Sequence, residues 1–283
     1  MKLSAAEIRQ AVQNALAEDI GAGDATTLAV VPEPATAKAV MRTREPLVVA
    51  GLGIAETAFA ELSSAIRTER PVQEGQRVNA GEILLRVSGP ARAILSAERV
   101  ALNFVQRLSG IATLTAQFVD AVRETHAQVL DTRKTTPGWR RFEKYAVGCG
   151  GGKNHRLGLF DMILIKDNHL VALQTEKPSA IAAAVARARE KFPNLKIEVE
   201  ADTVEQAEQA ADAGADIILL DNMNPVQLRL AVQKVKGRAQ TEASGGVNPG
   251  NIQAIAGSGV DFISVGALTH SARAVDIGLD FEG

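Results

Sequence analysis

A single cysteine, Cys149, occurs in the chain of 283 residues, so neither an internal disulfide nor a multi-cysteine metal centre can form. Such usage fits a reducing compartment. Aromatics are scarce as well: one Trp, one Tyr and eight Phe give 4%, a poor supply for a surface on which bases stack. Neither sign of charge dominates. With 31 Lys+Arg against 33 Asp+Glu the formal net charge is −2, which leaves no basic surplus for a phosphate backbone and argues against nucleic acid as a partner. Long hydrophobic runs are missing; the apolar stretches 162–165 and 217–220 fall far short of the roughly 20 residues that cross a bilayer. Glu7 and Arg9 stand where a signal peptide needs its apolar core. A cytoplasmic protein with no membrane partner is the expectation. Lysine is absent between Lys38 and Lys134. Residues 71–89 alternate and turn at Gly75 and Gly81 in the manner of a small lipoyl- or biotinyl-carrier fold, but without an acceptor lysine that role falls away.

Hydrophobic residues at 46% and charged residues at 23% are ordinary for a globular chain, and the length fits one large or two medium domains. Ser4-Ala5-Ala6-Glu7 reads as a capping box that opens a helix to about Ala17, with Gly21, Gly23 and Asp24 ending it. Residues 36–50 read as strands around a turn at Glu45-Pro46, and 53–66 as an apolar-faced helix. From Ser96 the pattern is helical. Phe104, Leu108, Ile111, Leu114, Phe118 and Val122 recur at spacings of three and four and make one apolar face. Ser109-Gly110 is expected to bend or split this helix, and the first domain boundary is placed there, giving a small α/β domain over residues 1–111.

Beyond residue 126 short apolar runs alternate with helical stretches. Strands are expected at 127–131, 162–166, 196–200, 216–221, 239–243 and 260–265, with helices at 178–191, 203–213, 225–236 and 249–256. Pro225 and Pro249 sit near helix starts, where proline is tolerated. The phrases ADAGADIILLDN and IAGSGVDFISVG repeat one helix–Gly–strand unit. Regular alternation with apolar strands predicts a parallel sheet covered by helices, and an α/β barrel is its natural closure. This domain is taken as residues 112–269, followed by a C-terminal segment, 270–283.

Chemistry gathers where these strands end. Arg133 and Lys134 follow the first strand, Lys166 the second, Glu200 the third, Asp221 the fourth, Ser244-Gly245-Gly246 the fifth and Gly266 the sixth. In barrels the C-terminal strand ends carry the site, so these residues are expected to converge. Arg133, Lys134, His155, Arg156 and Lys166 would form a cationic half whose mutual repulsion calls for a polyanionic ligand. Glu200 and Asp221 form an acidic pair suited to Mg²⁺, an ion that takes oxygen ligands. Ser244, Gly245, Gly246 and Gly266 can present bare backbone N–H groups to a phosphate. Within GCGGGKNHR (148–156) the glycines are expected to aim His155 and Arg156 into the cleft; the polar neighbours Asn154 and Arg156 argue against an apolar setting for His155.

DTRKTTPG (131–138), KYAVGCGGGKNHRLGLFDMILIKDNH (144–169), EVEAD (198–202), LLDNM (219–223), ASGGVN (243–248) and SVGALTHS (264–271) together resemble the quinolinate phosphoribosyltransferase family. ERVALNFVQRLSGIAT (98–113) and GAGDATT (21–27) extend the likeness over nearly the whole chain. The resemblance implies a small N-terminal α/β domain, an incomplete seven-stranded TIM-like barrel, and a C-terminal return to the first domain. It further implies a homodimer with shared sites. The implied reaction joins quinolinate to 5-phosphoribosyl 1-pyrophosphate and releases pyrophosphate and CO2, a step of de novo NAD synthesis. By resemblance, Arg99 reaches the substrate carboxylates across the dimer, and Arg133, His155 and Arg156 complete the quinolinate cradle. Lys134 and Lys166 lie between the two substrates, Glu200 and Asp221 face the ribose and Mg²⁺, and Ser244, Gly245, Gly246 and Gly266 hold the 5′-phosphate. Three rivals stand beside this reading, one of them a non-catalytic small-molecule binder that uses the same anion site without turnover. A molybdenum-transport-associated paralogue shares the fold, but the full NHR and KDNH phrases favour the quinolinate enzyme. A Schiff-base barrel aldolase would use Lys134 or Lys166 as nucleophile.

Overall fold

The computed structural model describes residues 1–282. In chain order the elements are α1 (Ala5–Ile20), α2 (Ala25–Val30), β1 (Thr36–Thr43), β2 (Leu47–Val48), α3 (Leu52–Leu62), β3 (Arg67–Glu69), β4 (Arg77–Val78), β5 (Ile83–Pro90), α4 (Ala91–Val122), β6 (Gln128–Leu130), α5 (Arg140–Cys149), β7 (Ile163–Ile165), α6 (Asp167–Val171), α7 (Ala180–Lys191), β8 (Ile197–Ala201), α8 (Val204–Asp212), β9 (Ile217–Asp221), α9 (Pro225–Val235), β10 (Gln240–Ser244), α10 (Ile252–Ala256), β11 (Phe262–Ser264), α11 (Ala267–His270) and β12 (Ile277–Glu282). They divide into two compact units.

The first unit holds Met1–Ala116, Arg141–Gly151 and the chain from residue 272 on. Its main sheet is antiparallel, in the order β12-β1-β5-β3. The expected capping box is present at α1: Ser4 accepts from the Glu7 N–H and the Glu7 carboxylate accepts from the Ser4 N–H, and the helix runs on to Ile20. The expected split at Ser109-Gly110 does not occur: α4 runs on as one helix of 32 residues. The Ser109 hydroxyl, which would otherwise compete for the helix backbone, accepts from the Ala50 N–H at 3.0 Å. Gly110 answers a close approach: a Cβ there would run into the backbone of Arg273. Both boundaries shift slightly, to 116/117 and 271/272, and residues 141–151 leave the barrel domain to which the sequence reading gave them. The cause lies in α5, which buries Phe142, Ala146 and Val147, sets Phe142 6.1 Å from the Phe104 ring, and brings Glu143 2.9 Å from the Arg107 guanidinium. At the C-terminal end β12 pairs antiparallel with β1 from Lys38↔Glu282 to Thr43↔Ile277.

The second unit holds Gln117–Arg140 and Gly152–Ser271. All six expected strands form one parallel sheet, in the order β6-β11-β10-β9-β8-β7. Helices cover one face of the sheet while the other closes on itself, and Ile197, Val199, Ile218, Leu220, Ala243 and Ile263 are all buried. The seventh strand of the expected barrel is reduced to a single parallel bridge, Leu130↔Lys153, beside β6. The glycines before Lys153 favour no extended ladder, and the Asp131 carboxylate takes the donors that follow it, His155 N at 2.9 Å and Asn154 Nδ2 at 2.7 Å. The sheet curls strongly, since His155, which follows Lys153 at one edge, reaches side chains of both β8 and β10. The architecture is an incomplete α/β barrel of six laddered strands with one bridge residue in the seventh place. Among the described residues no helix is long and apolar enough to cross a membrane.

Candidate active site

Parallel strands put all their C-terminal ends on one rim, so the order of strands sets the order of functional groups. From β7 to β6 the rim reads Lys166, Glu200, Asp221, Ser244 to Gly246, Gly266, then Arg133 and Lys134. Lys153 to Arg156 enter on the far side of β6. Residues spread over more than 130 positions of sequence thus share one edge, as their placement at strand ends predicts.

The cationic group is real but uneven. Burial and then the charge of Arg133 hold the Arg156 guanidinium below its usual proton affinity. Two guanidiniums that repel each other, with Arg133 Nε buried and without a hydrogen-bond partner, form a place where an anion gains more than water does. Arg156 Nη1 donates to the Met162 carbonyl at 3.2 Å, which fixes its reach. Lys134 is exposed, and its carbonyl accepts from the Thr269 hydroxyl at 2.7 Å. That bond lays its stem over Gly266, where a Cβ would stand 3.2 Å from Lys134 Cδ and 3.1 Å from His270 Nε2. The sequence reading set Lys166 and Glu200 in opposite halves, whereas they form an ion pair with Nζ 3.0 Å from Oε2. Lys166 therefore bridges the two halves.

His155 departs from the expectation that it points into the cleft. Its side chain is 8% exposed and lies inside the barrel, with Nε2 3.0 Å from Glu198 Oε2 and 3.5 Å from Glu242 Oε2. The setting is not apolar, as expected, but it is anionic and beneath the rim. The two carboxylates favour a proton on Nε2, while burial and the Arg156 N–H that points at Nδ1 disfavour a second one. Burial and the Glu242 charge push the Glu198 carboxyl above the usual carboxylate range. Ser264 donates to Glu242 Oε1 at 2.5 Å. Arg99 is exposed on α4 and belongs to the first unit.

Asp221 accepts from Asn222 Nδ2 at 2.6 Å, and Asn222 N–H donates to the Ser244 carbonyl at 2.9 Å. Asn222 has φ +52, a left-handed conformation that Asn adopts more readily than other non-glycine residues. Gly245 at φ +95 passes so close that a Cβ would collide with the Asn222 amide. Gly246 has φ +60, and its carbonyl accepts from Asn248 Nδ2 and Asn251 Nδ2 at 3.1 and 3.0 Å. Glu200 and Asp221 each keep one carboxylate oxygen outside these bonds. A pair of hard oxygen donors on adjacent strand ends suits Mg²⁺. Sequence reasoning missed Glu198 and Glu242. A signal was present: a charge at alternate places of an otherwise apolar strand, as in Ile197-Glu198-Val199-Glu200, puts both acids on one face.

Two family profiles match, Quinolinate phosphoribosyl transferase, N-terminal domain, over residues 24–109 and Quinolinate phosphoribosyl transferase, C-terminal domain, over residues 111–280. The chain belongs to the quinolinate phosphoribosyltransferase family. Within it the sequence is 45% identical over 278 residues to the carboxylating nicotinate-nucleotide pyrophosphorylase of Mycobacterium leprae, covering 96% of each chain. It is 40% identical over 275 residues to a probable carboxylating nicotinate-nucleotide pyrophosphorylase of Bacillus subtilis, covering 97% of this chain and 93% of that one. The solved nicotinate-nucleotide pyrophosphorylase of Francisella tularensis superposes with a TM-score of 0.93 at 39% identity, covering 99% of this chain and 98% of that one. Membership in the phosphoribosyltransferase family accounts for the α/β barrel preceded by a small separate domain.

Proposed function

We propose that this enzyme transfers the phosphoribosyl group of 5-phosphoribosyl 1-pyrophosphate to quinolinate with loss of CO2, giving nicotinate mononucleotide and pyrophosphate for de novo NAD synthesis. The observation that carries the reading is the pair of crowded guanidiniums, Arg133 and Arg156, on the same rim as the Ser244 to Gly246 turn and Gly266. Quinolinate brings two carboxylates and the sugar donor brings three phosphate groups, so one pocket must hold two anionic molecules. Arg133 and Arg156 suit the dicarboxylate, because a planar guanidinium binds two oxygens at once. Lys134, poised over Gly266, suits the phosphates. Arg99 would come from the partner of a homodimer, and His155 would support the cradle from below.

In this reading the pyridine nitrogen attacks the anomeric carbon as the bond to pyrophosphate breaks. Positive charge develops on the sugar and negative charge on the leaving group. Glu200 and Asp221 lie on the side of the first, and Lys134 on the side of the second. Lys166, tied to Glu200, sits between the substrates. Held in place, these charges need no reorganisation when the barrier is crossed, and no covalent enzyme intermediate is required. Mg²⁺ held by Glu200 and Asp221 would supply Lewis-acid stabilisation of the pyrophosphate oxygens. Once the ring nitrogen carries the sugar it is cationic. The C2–carboxylate bond then breaks, its electron pair remains at C2 under that charge, and a proton replaces CO2. A cytoplasmic location is part of this reading, in keeping with the single cysteine.

Release of labelled CO2 from quinolinate labelled in its 2-carboxylate, dependent on the phosphoribosyl donor and Mg²⁺, tests the reading. No release under these conditions rejects it, and turnover of a different ring acid instead would favour the molybdenum-transport-associated paralogue.

A further inference from the structure

Glu198, Glu242 and His155 form a buried group that the reaction above does not use directly. Both glutamates are wholly buried, one on β8 and one on β10, and their side chains meet the imidazole inside the barrel. Buried carboxylates are costly unless they are paired, and the Glu198 carboxylate meets the His155 ring at 3.0 Å. Retaining two of them under one histidine calls for a role.

The ligand atoms of the three residues lie within 4.8 Å of one another, a spacing a metal ion would accept. The second ring nitrogen decides against that use. A histidine that binds a metal through Nε2 donates a proton from Nδ1 to a neighbour. Here Nδ1 accepts instead, from the backbone N–H of Arg156 at 2.8 Å. The ring proton is therefore on Nε2, facing the two carboxylates, and the bare nitrogen holds the main chain of the next residue. Asp131 holds the same corner from the other side, accepting from His155 N–H at 2.9 Å.

We propose that Glu198 and Glu242 are positioning residues for the anion cradle: by holding Nε2–H they fix the His155 tautomer, and through Nδ1 they fix the backbone from which Arg156 projects. The proposal rests on the functional reading only for the identity of the anion. Ser264, bonded to Glu242 Oε1, orients that carboxylate in turn. The chain of contacts crosses β11, β10 and β8, so the barrel wall itself sets the angle of the Arg156 guanidinium.

Two measurements test it. In Glu242→Gln and Glu198→Gln, which keep the side-chain shape, KM for quinolinate should rise about tenfold or more, as expected for a displaced binding group, while KM for 5-phosphoribosyl 1-pyrophosphate stays within about twofold. A merely structural role would move both constants or neither. Wild-type kinetics in a folded glutamine variant, or equal losses for both substrates, would overturn the proposal. Should the variants fail to fold, the ¹⁵N spectrum of selectively labelled wild-type protein still decides. It should show His155 with a protonated Nε2 and a bare Nδ1, and the reverse tautomer would overturn the proposal. If the wild type shows that tautomer but does not turn over quinolinate, the functional reading fails and the positioning network stands.

Discussion

Arg133 and Arg156 carry the argument for an anion site, so they carry its sharpest prediction. Arg133→Ala or Arg156→Ala should lose at least about 2 kcal/mol of transition-state binding, about 30-fold in kcat/KM for quinolinate, as expected when one charged hydrogen-bond partner leaves a partly buried site. Steady-state kinetics with quinolinate varied would show it, and near-unchanged kcat/KM would refute the assignment. Arg133 was legible because it closely follows an apolar strand, and Arg156 because it closes the glycine-rich stretch 148–156. His155 was legible as functional but not as to place. Its neighbours in sequence are polar, and nothing local reveals that two acids from strands over 40 and over 80 residues away enclose it. The acids themselves hid inside strands read as apolar. An alternating Glu in a parallel strand looks like half-exposed surface until the sheet is known to close on that face.

The helices show a second kind of gap. Gly110 was read as a break because glycine disfavours helix on average, by about 1 kcal/mol relative to alanine. In α4 the reason for glycine is the Arg273 backbone lying against it. Gly110→Ala should therefore destabilise the protein by about 1–3 kcal/mol, opposite in sign to the propensity effect, as overpacking does. Chemical denaturation would measure it; a gain in stability would show that the segment around Arg273 yields easily. The same segment is tied by Glu45, whose carboxylate accepts from Asp276 N–H at 2.8 Å and pairs with the Arg273 guanidinium. The Arg273 hydrogen bonds, then the Asp276 N–H, lower Glu45 to about 2 from an ordinary value of 4.5. A depressed carboxylate stabilises the fold above its unfolded value and loses that contribution as pH falls through its folded value. Glu45→Gln should then cost about 0.5–1 kcal/mol at pH 7, discounted for the exposed arginine, and nothing near pH 2. Denaturation midpoints of both proteins across this range would show the difference closing between about pH 4.5 and about 2; a gap independent of pH would exclude the carboxylate charge as its source. Element positions in the barrel were legible throughout, since apolar runs bounded by polar ends admit few alternatives. The place of α5 was not, because an amphipathic helix does not say which unit its apolar stripe will face.

For the assembled enzyme the prediction concerns sharing. If a homodimer completes each site with the partner's arginine, then Arg99→Ala and Arg133→Ala proteins, each nearly inactive, should recover activity when mixed and allowed to exchange subunits. One of the two sites in a hybrid dimer would be intact, so recovery should approach about a quarter of the wild-type rate if subunits pair at random. Activity that stays at the level of the separate variants, with exchange verified by native mass spectrometry, would argue that each chain uses its own arginine. The resemblance of motifs implies this arrangement, whereas composition and periodicity say nothing about it.

The pairing of β12 with β1 sets a timetable for synthesis. Residues 277–282 leave the ribosome only after every strand of the barrel, yet they complete the sheet that β1 begins. During translation the first unit waits with an open edge while the second, whose strands follow one another along the chain, can close first. A pause or truncation near the end of the message would then release a chain with a finished barrel and an exposed β1, a ready template for aggregation.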